Sequence, residues 1–428
     1  MTAEIAILNR QAIALAADSA VTINYPDGQK IYNSVNKLFT LSKYAPVGVM
    51  VYGVADLTGV PWETIIKSFR RELGEERLPH LADYADRLID YINGHKVMFS
   101  DEYQEQQLIS SIFGQFIDIL RDIDRRIDRA IPLEGSIDDN RVRSIVTSTI
   151  RDAHNKWTNA DRLPSVPDNQ AERILSKWRS QINSAIEYVF EKLPVTATSR
   201  RRLVEIASLV FTASLFPDNV SGVVVAGFGE EDYMPGLVAY DVEGILLNFV
   251  KIRENKKSTK IAGNNAASMI PFAQGEMVYQ FMEGIDPLLR HMLQHMLEDY
   301  VSELTDNLVQ ICKASGRRES RLRKQVEQAE SDLSDRFFQF LASYSNENHV
   351  SPVISAVANL PKEELASMAE ALVNLTSFKR RVTHDPETVG GPIDVAVISK
   401  GDGFIWINRK HYFDPALNHH FFANYYRS

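Results

Sequence analysis

Thr2-Ala3-Glu4-Ile5-Ala6-Ile7-Leu8, then Asn9-Arg10, then Gln11-Ala12-Ile13-Ala14-Leu15-Ala16-Ala17 closing on Asp18-Ser19, is the stretch that decides the fold. Each apolar run has the length of a strand, and the polar pair between them marks a turn. Together they predict a β-hairpin buried on one or both faces. The many alanines predict that another element packs closely against it. The hairpin returns Asp18 to the neighbourhood of Thr2, near the start of the chain.

Loss of Met1 leaves Thr2 with a hydroxyl and a free α-amine on one residue. A hydroxyl is a weak nucleophile until a base takes its proton. An α-amine, with an ordinary pKa of about 7.7–8.0, is partly neutral near pH 7 and can serve as that base, directly or through a water. While Met1 remains, the Thr2 nitrogen is an amide and has no such capacity. A second residue is ordinarily just part of a loose terminus. Here strand character begins at once, with no polar leader.

The 428 residues suffice for two or three average domains. Lys+Arg number 47 against 56 Asp+Glu, for a net charge of -9, so nothing in the charge points to nucleic acid or an anionic membrane. Cys312 is the only cysteine, which excludes an internal disulfide framework and points to a reducing compartment. No charged leader with an apolar core precedes the hairpin, and no apolar run has the length of a membrane span. A cytoplasmic protein is expected.

Beyond the hairpin, Pro26-Asp27-Gly28 marks a turn. Asn36 to Leu41 and Pro46 to Tyr52 read as strands, the second breaking at Gly53. Pro61-Trp62-Glu63 opens a helix with Ile65, Ile66 and Phe69 on one face. Residues 76–216 change to helical periodicity with many charges. Strand character returns at Ser221 to Phe228, Leu237 to Asp241 and Ile245 to Val250. Pro271-Phe272-Ala273-Gln274 reads as the start of a long helical region, with Met292 and Met296 expected as core filler. His291 and His295 stand one turn apart without a metalloprotease pattern, so no metal site is expected there. Glu363 to Arg381 is an amphipathic helix. Ile393 to Ile398 and Phe404 to Ile407 close the chain as a hairpin around Asp402-Gly403. The aromatic tail from Tyr412 to Tyr426 is expected to pack on the body or on a neighbouring subunit. No phosphate-binding glycine loop and no GxSxG elbow occurs.

This order of strands, helix, helical insertion, strands, helices and strands resembles the proteasome β-subunit and the simpler bacterial proteasome-type peptidases, which are N-terminal-nucleophile hydrolases. The likeness covers about half of the chain. Thr2 resembles the mature N-terminal threonine, Asp18 the family's aspartate and Lys37, in Asn-Lys-Leu-Phe, its catalytic lysine. Gly53 in Tyr-Gly-Val-Ala-Asp resembles the glycine whose N–H serves the oxyanion hole. Ala267-Ser268-Met269-Ile270-Pro271-Phe272-Ala273-Gln274 is similar to the Gly-Ser-Gly-Gly-Pro-Tyr-Ala-Gln stretch of the bacterial type, which places Ser268 at the supporting serine. Asp385 and Thr388, before Gly390-Gly391, resemble the aspartate and serine that complete the site. There the loop is one residue longer and a threonine stands for the serine.

The resemblance implies an α+β fold, a four-layer αββα sandwich of the N-terminal-nucleophile hydrolase type with helical insertions. Its core is expected in residues 1–75, 217–285 and 361–428, with helical segments at 76–216 and 286–360. It implies a proteasome-like threonine peptidase that hydrolyses peptide bonds through an acyl-enzyme on Thr2, activated by loss of Met1. No cofactor or metal is expected. The expected partners are a peptide or protein substrate and further copies of the chain in a homo-oligomer, with a ring as one arrangement; an ATPase partner is left open. Two alternatives stand beside it: a small-molecule amidohydrolase on the same fold, and a non-catalytic scaffold that retains the fold.

Overall fold

Strand β1 (Ala3–Asn9) and strand β2 (Ile13–Ala17) form the expected antiparallel hairpin, with Glu4 opposite Ala17 and Leu8 opposite Ile13. The Asn9 side chain closes it by accepting from the N–H groups of Gln11 and Ala12. Both strands are buried along their whole length. The computed structural model describes residues 2–25, 28–95, 97–134, 137–217, 220–263, 265–311, 316–383 and 389–426.

Along the chain follow β3 (Val21–Tyr25), β4 (Gly28–Tyr32), β5 (Leu38–Thr40), β6 (Val47–Tyr52) and the two-residue strands β7 (Asp56–Leu57) and β8 (Val60–Pro61). Next come helices α1 (Trp62–Leu73), α2 (Leu81–Gly94), α3 (Asp101–Glu134), α4 (Asp139–Thr158), α5 (Gln170–Phe190) and α6 (Ala197–Leu209). Strands return as β9 (Ser221–Gly227), β10 (Gly236–Leu246), β11 (Phe249–Glu254), β12 (Thr259–Lys260) and β13 (Ala267–Ala273). Then α7 (Glu276–Glu283), α8 (Pro287–Ile311), α9 (Arg317–Ser345), α10 (Ser351–Val357) and α11 (Lys362–Val382) lead to β14 (Asp394–Ser399), β15 (Gly403–Asn408) and α12 (His419–Tyr426). This is a mixed α+β protein with antiparallel sheets. Among the described residues, no helix is long and apolar enough to cross a membrane.

The chain divides into two compact units. The first comprises Met1–Leu38, Tyr233–Gly236 and Thr259–Ser428. Its five-stranded sheet runs β13-β1-β2-β14-β15, antiparallel throughout. Strand alternation puts Ala3, Ile5 and Ile7 of β1 with Ala12, Ala14 and Ala16 on one face. Leu365, Ala369, Leu372 and Val373 of α11 pack on that face, and the alanines let the helix approach closely. The expected helix start at Pro271 is corrected: Pro271 lies in β13, opposite Ile5. Since β13 is an edge strand, the missing N–H of a proline costs no ladder bond there. The helix begins at Glu276, after Gly275. A second correction concerns the methionines. Met292 and Met296 are 52% and 46% exposed on α8, not core filler within this chain.

The second unit comprises Phe39–Asp232 and Leu237–Ser258. Its sheet runs β11-β10-β9-β6-β5. Trp62, Ile65 and Phe69 of α1, with Tyr84 and Leu88 of α2, pack with Val49, Val51, Val223 and Val225 of that sheet. Helices α3 to α6 build an apolar core of their own around Ile112, Phe116, Ile150, Trp178 and Leu203. Leu237 to Asp241 and Ile245 to Val250, expected as two strands, instead contribute to one long strand and the start of the next. The ladder shifts at a bulge between Val242 and Gly244 and continues to Leu246. The chain turns at Leu247 and Asn248, both at positive φ (52° and 66°), which is the hand that matches strand twist in a two-residue hairpin loop.

Candidate functional site

Thr2 enters β1, and the two-residue period of the strand puts its side chain on the same face as that of Glu4. The Thr2 hydroxyl donates to Glu4 Oε2 at 3.0 Å. The main chain on either side is clamped. Gln274 N–H donates to the Thr2 carbonyl, and Asp18 N–H to the Ala3 carbonyl. Thr2 is only 2% exposed.

Asp18 follows β2 directly. Its Oδ1 accepts from the Ala3 N–H at 3.1 Å, and its Oδ2 from Ala20 N–H at 3.2 Å and Gly390 N–H at 2.9 Å. The fourth donor is the Lys37 ammonium, in a short ion pair with Oδ1. Lys37 stands immediately before β5, and its Nζ also lies 3.2 Å from Glu4 Oε1. All three ionisable side chains are buried. Burial pushes the Glu4 carboxyl up to about 7; Lys37 opposes that rise and the charge of Asp18 adds to it.

The structure thus brings together three residues that the sequence singles out, Thr2, Asp18 and Lys37, and adds a fourth, Glu4. The signal for Glu4 was present: it is the only charged residue in an otherwise apolar strand, at i+2 from Thr2. An adjoining pair was not visible in the sequence. Asp394 lies opposite Ala17, and its carboxylate holds both the backbone N–H and the ammonium of Lys410. Burial lowers the pKa of the Lys410 ammonium, against its pairing with Asp394. On the other side of β1, the Gln274 side-chain oxygen accepts from Arg380 Nε at 3.1 Å.

Ser268 is corrected. Register pairs it with Leu8, whereas Ala273 pairs with Ala3, so it sits at the far end of β1 from Thr2. Five residues of strand make that about 17 Å. Its hydroxyl donates to Asn265 Oδ1. The similarity of the octapeptide misplaced it because the stretch is a strand here. The residues beside Thr2 are Ala273 and Gln274.

Gly53 belongs to the second unit, at the end of β6. It has φ +83°, and a Cβ there would lie 2.8 Å from the Ser221 Cα, so a glycine is required locally. Asp385 and Thr388 lie outside the described residues.

The cluster supplies a hydroxyl, a carboxyl poised near neutrality and a buried ammonium within one chain of contacts, which is the inventory of an activated nucleophile. No protein-family model matches the chain, and no curated protein is similar to it.

Proposed function

We propose that the chain is a threonine-type N-terminal-nucleophile hydrolase that cleaves peptide bonds through an acyl-enzyme on Thr2, once the residue before Thr2 is removed. The observation that carries this reading is the burial of the Thr2 hydroxyl in one polar chain with Glu4, Lys37 and Asp18. Asp18, with four donors on two oxygens, is a fixed anchor for Lys37. The anchored ammonium favours the alkoxide that attacks the substrate carbonyl. By the resemblance, Asp385 and Thr388 complete the site.

We also propose that the fold is of the N-terminal-nucleophile hydrolase type. Each sheet has its own helices on one face, α11 in the first unit and α1 with α2 in the second. The chain is proposed to form a homo-oligomer. Leu288, Met292, Met296, Tyr300 and Leu304 recur every four residues along α8 and are each between 46% and 66% exposed, which makes a continuous apolar stripe.

A small-molecule amide is the second reading of the substrate, favoured by the depth of Thr2. Fluorogenic peptides assayed beside simple amides separate the two. Peptide cleavage that is lost in Thr2→Ala supports the peptidase. Cleavage of amides alone removes it, and no cleavage of either leaves the scaffold.

A further inference from the structure

We infer that Glu4, in place of the α-amine, takes the proton from the Thr2 hydroxyl during attack. This depends on the proposed reading of Thr2 as the nucleophile and assigns the base of the same site.

Two carboxylates stand in the cluster, and their contacts differ. Asp18 spends both oxygens on three backbone N–H groups and Lys37. Glu4 accepts the hydroxyl on one oxygen at 3.0 Å and lies against Lys37 with the other, at 3.2 Å. The first distance is within the reach a general base needs. The second fixes the carboxylate and sets a cation against its other oxygen. The Glu4 side chain is wholly buried, so bulk water does not compete for it. The charged and titratable neighbours are Lys37 ahead of β5, Asp18 after β2, and the Asp394–Lys410 pair one strand further on. Burial holds the Glu4 carboxyl near 7, so it can both accept and return a proton near neutral pH.

The steps balance. Thr2 Oγ1 bonds to the carbonyl carbon while its proton moves to Glu4 Oε2. The tetrahedral intermediate expels the amine, which takes that proton, and leaves an ester on Thr2. A water then attacks the ester, giving a proton to Glu4. The carboxylic acid departs, and Glu4 returns the proton to Oγ1.

The test is the rate at which a peptidyl β-lactone acylates Thr2 in the chain with Met1 removed, followed by mass of the Thr2 peptide against pH and on warming. A Glu4 base gives a rate that rises with pH through about 7, with a midpoint nearly independent of temperature because carboxyl ionisation carries little enthalpy. Glu4→Gln is expected to lose roughly a hundredfold or more and the pH dependence with it. If Glu4→Gln fails to fold, the temperature response of the unaltered chain decides alone. A midpoint that falls on warming, as an amine's does, overturns the inference, as does an unchanged profile in folded Glu4→Gln. Absence of any adduct on Thr2 removes the nucleophile itself, and that outcome is distinct from an adduct with the wrong pH profile.

Discussion

Lys37 and Lys251 are both buried lysines paired with a glutamate, and they end differently. In the second unit, the Lys251 ammonium donates to the carbonyls of Val210 at 2.6 Å and Leu215 at 2.5 Å and pairs with Glu243 at 2.6 Å. Phe216 and Trp157 rings lie within 4.7 Å and 5.7 Å of it. Its three N–H donors are matched by three acceptors, and the remaining space is aromatic. That arrangement ties β11 to the end of α6, and the Glu243 carboxylate in turn meets the hydroxyl of Ser111 in α3. In the first unit, Lys37 joins two carboxylates, and one of those accepts a hydroxyl. Burial raises the glutamate in both clusters. The two clusters differ in what lies beyond the glutamate: a serine inside helix α3 in one, and in the other Thr2, at the entry to β1, with a second carboxylate on the lysine.

That contrast predicts opposite phenotypes. Lys37→Met is expected to cut Thr2 acylation by roughly a thousandfold, since the cation that joins Glu4 and Asp18 is lost. The measurement is turnover per folded molecule, with folding followed by circular dichroism; full turnover would dissolve the contrast. Lys251→Ala is expected to destabilise the fold by about 3–5 kcal/mol in urea titration, because Glu243 stays buried without its cation. Its surviving folded fraction should turn over normally.

A third prediction follows from the raised Glu4 pKa. Between its ordinary 4.5 and about 7, the folded chain holds a proton on Glu4 that the unfolded chain has lost. Stability therefore falls as pH rises across that window, by about 3 kcal/mol in all. Glu4→Gln lacks this dependence, so its stability relative to the parent should climb from pH 4.5 to 7. Parallel urea midpoints at both pH values would contradict the burial argument. The smallest effect is expected for Ser268→Ala, within about 0.5 kcal/mol in stability and unchanged in turnover, because among the described residues its hydroxyl donates to Asn265 at the far end of β1 from Thr2.

The first hairpin was legible because two unbroken apolar runs flank one polar pair. Asp18 and Lys37 were legible through the resemblance. Glu4 was overlooked because one charge in a strand reads as an exposed position, and here both faces of β1 are buried. Pro271 misled because a proline beside an apolar run reads equally as a helix start or an edge strand; only the partner strand decides. Leu237 to Asp241 and Ile245 to Val250 read as two strands, but a bulge between Val242 and Gly244 lets β10 continue. The Asp394–Lys410 pair is local to the last hairpin, but its place beside Asp18 depends on β14 pairing with β2, with Asp394 opposite Ala17, which no local pattern encodes.

The role of Thr2 is tested most directly by exposing the chain, with Met1 removed, to the β-lactone and locating the added mass by peptide sequencing. One adduct per chain on the Thr2 hydroxyl, absent in Thr2→Ala, is the expected result. A chain that remains unmodified, or that is modified elsewhere with Thr2 intact, would contradict the assignment of Thr2 as the nucleophile.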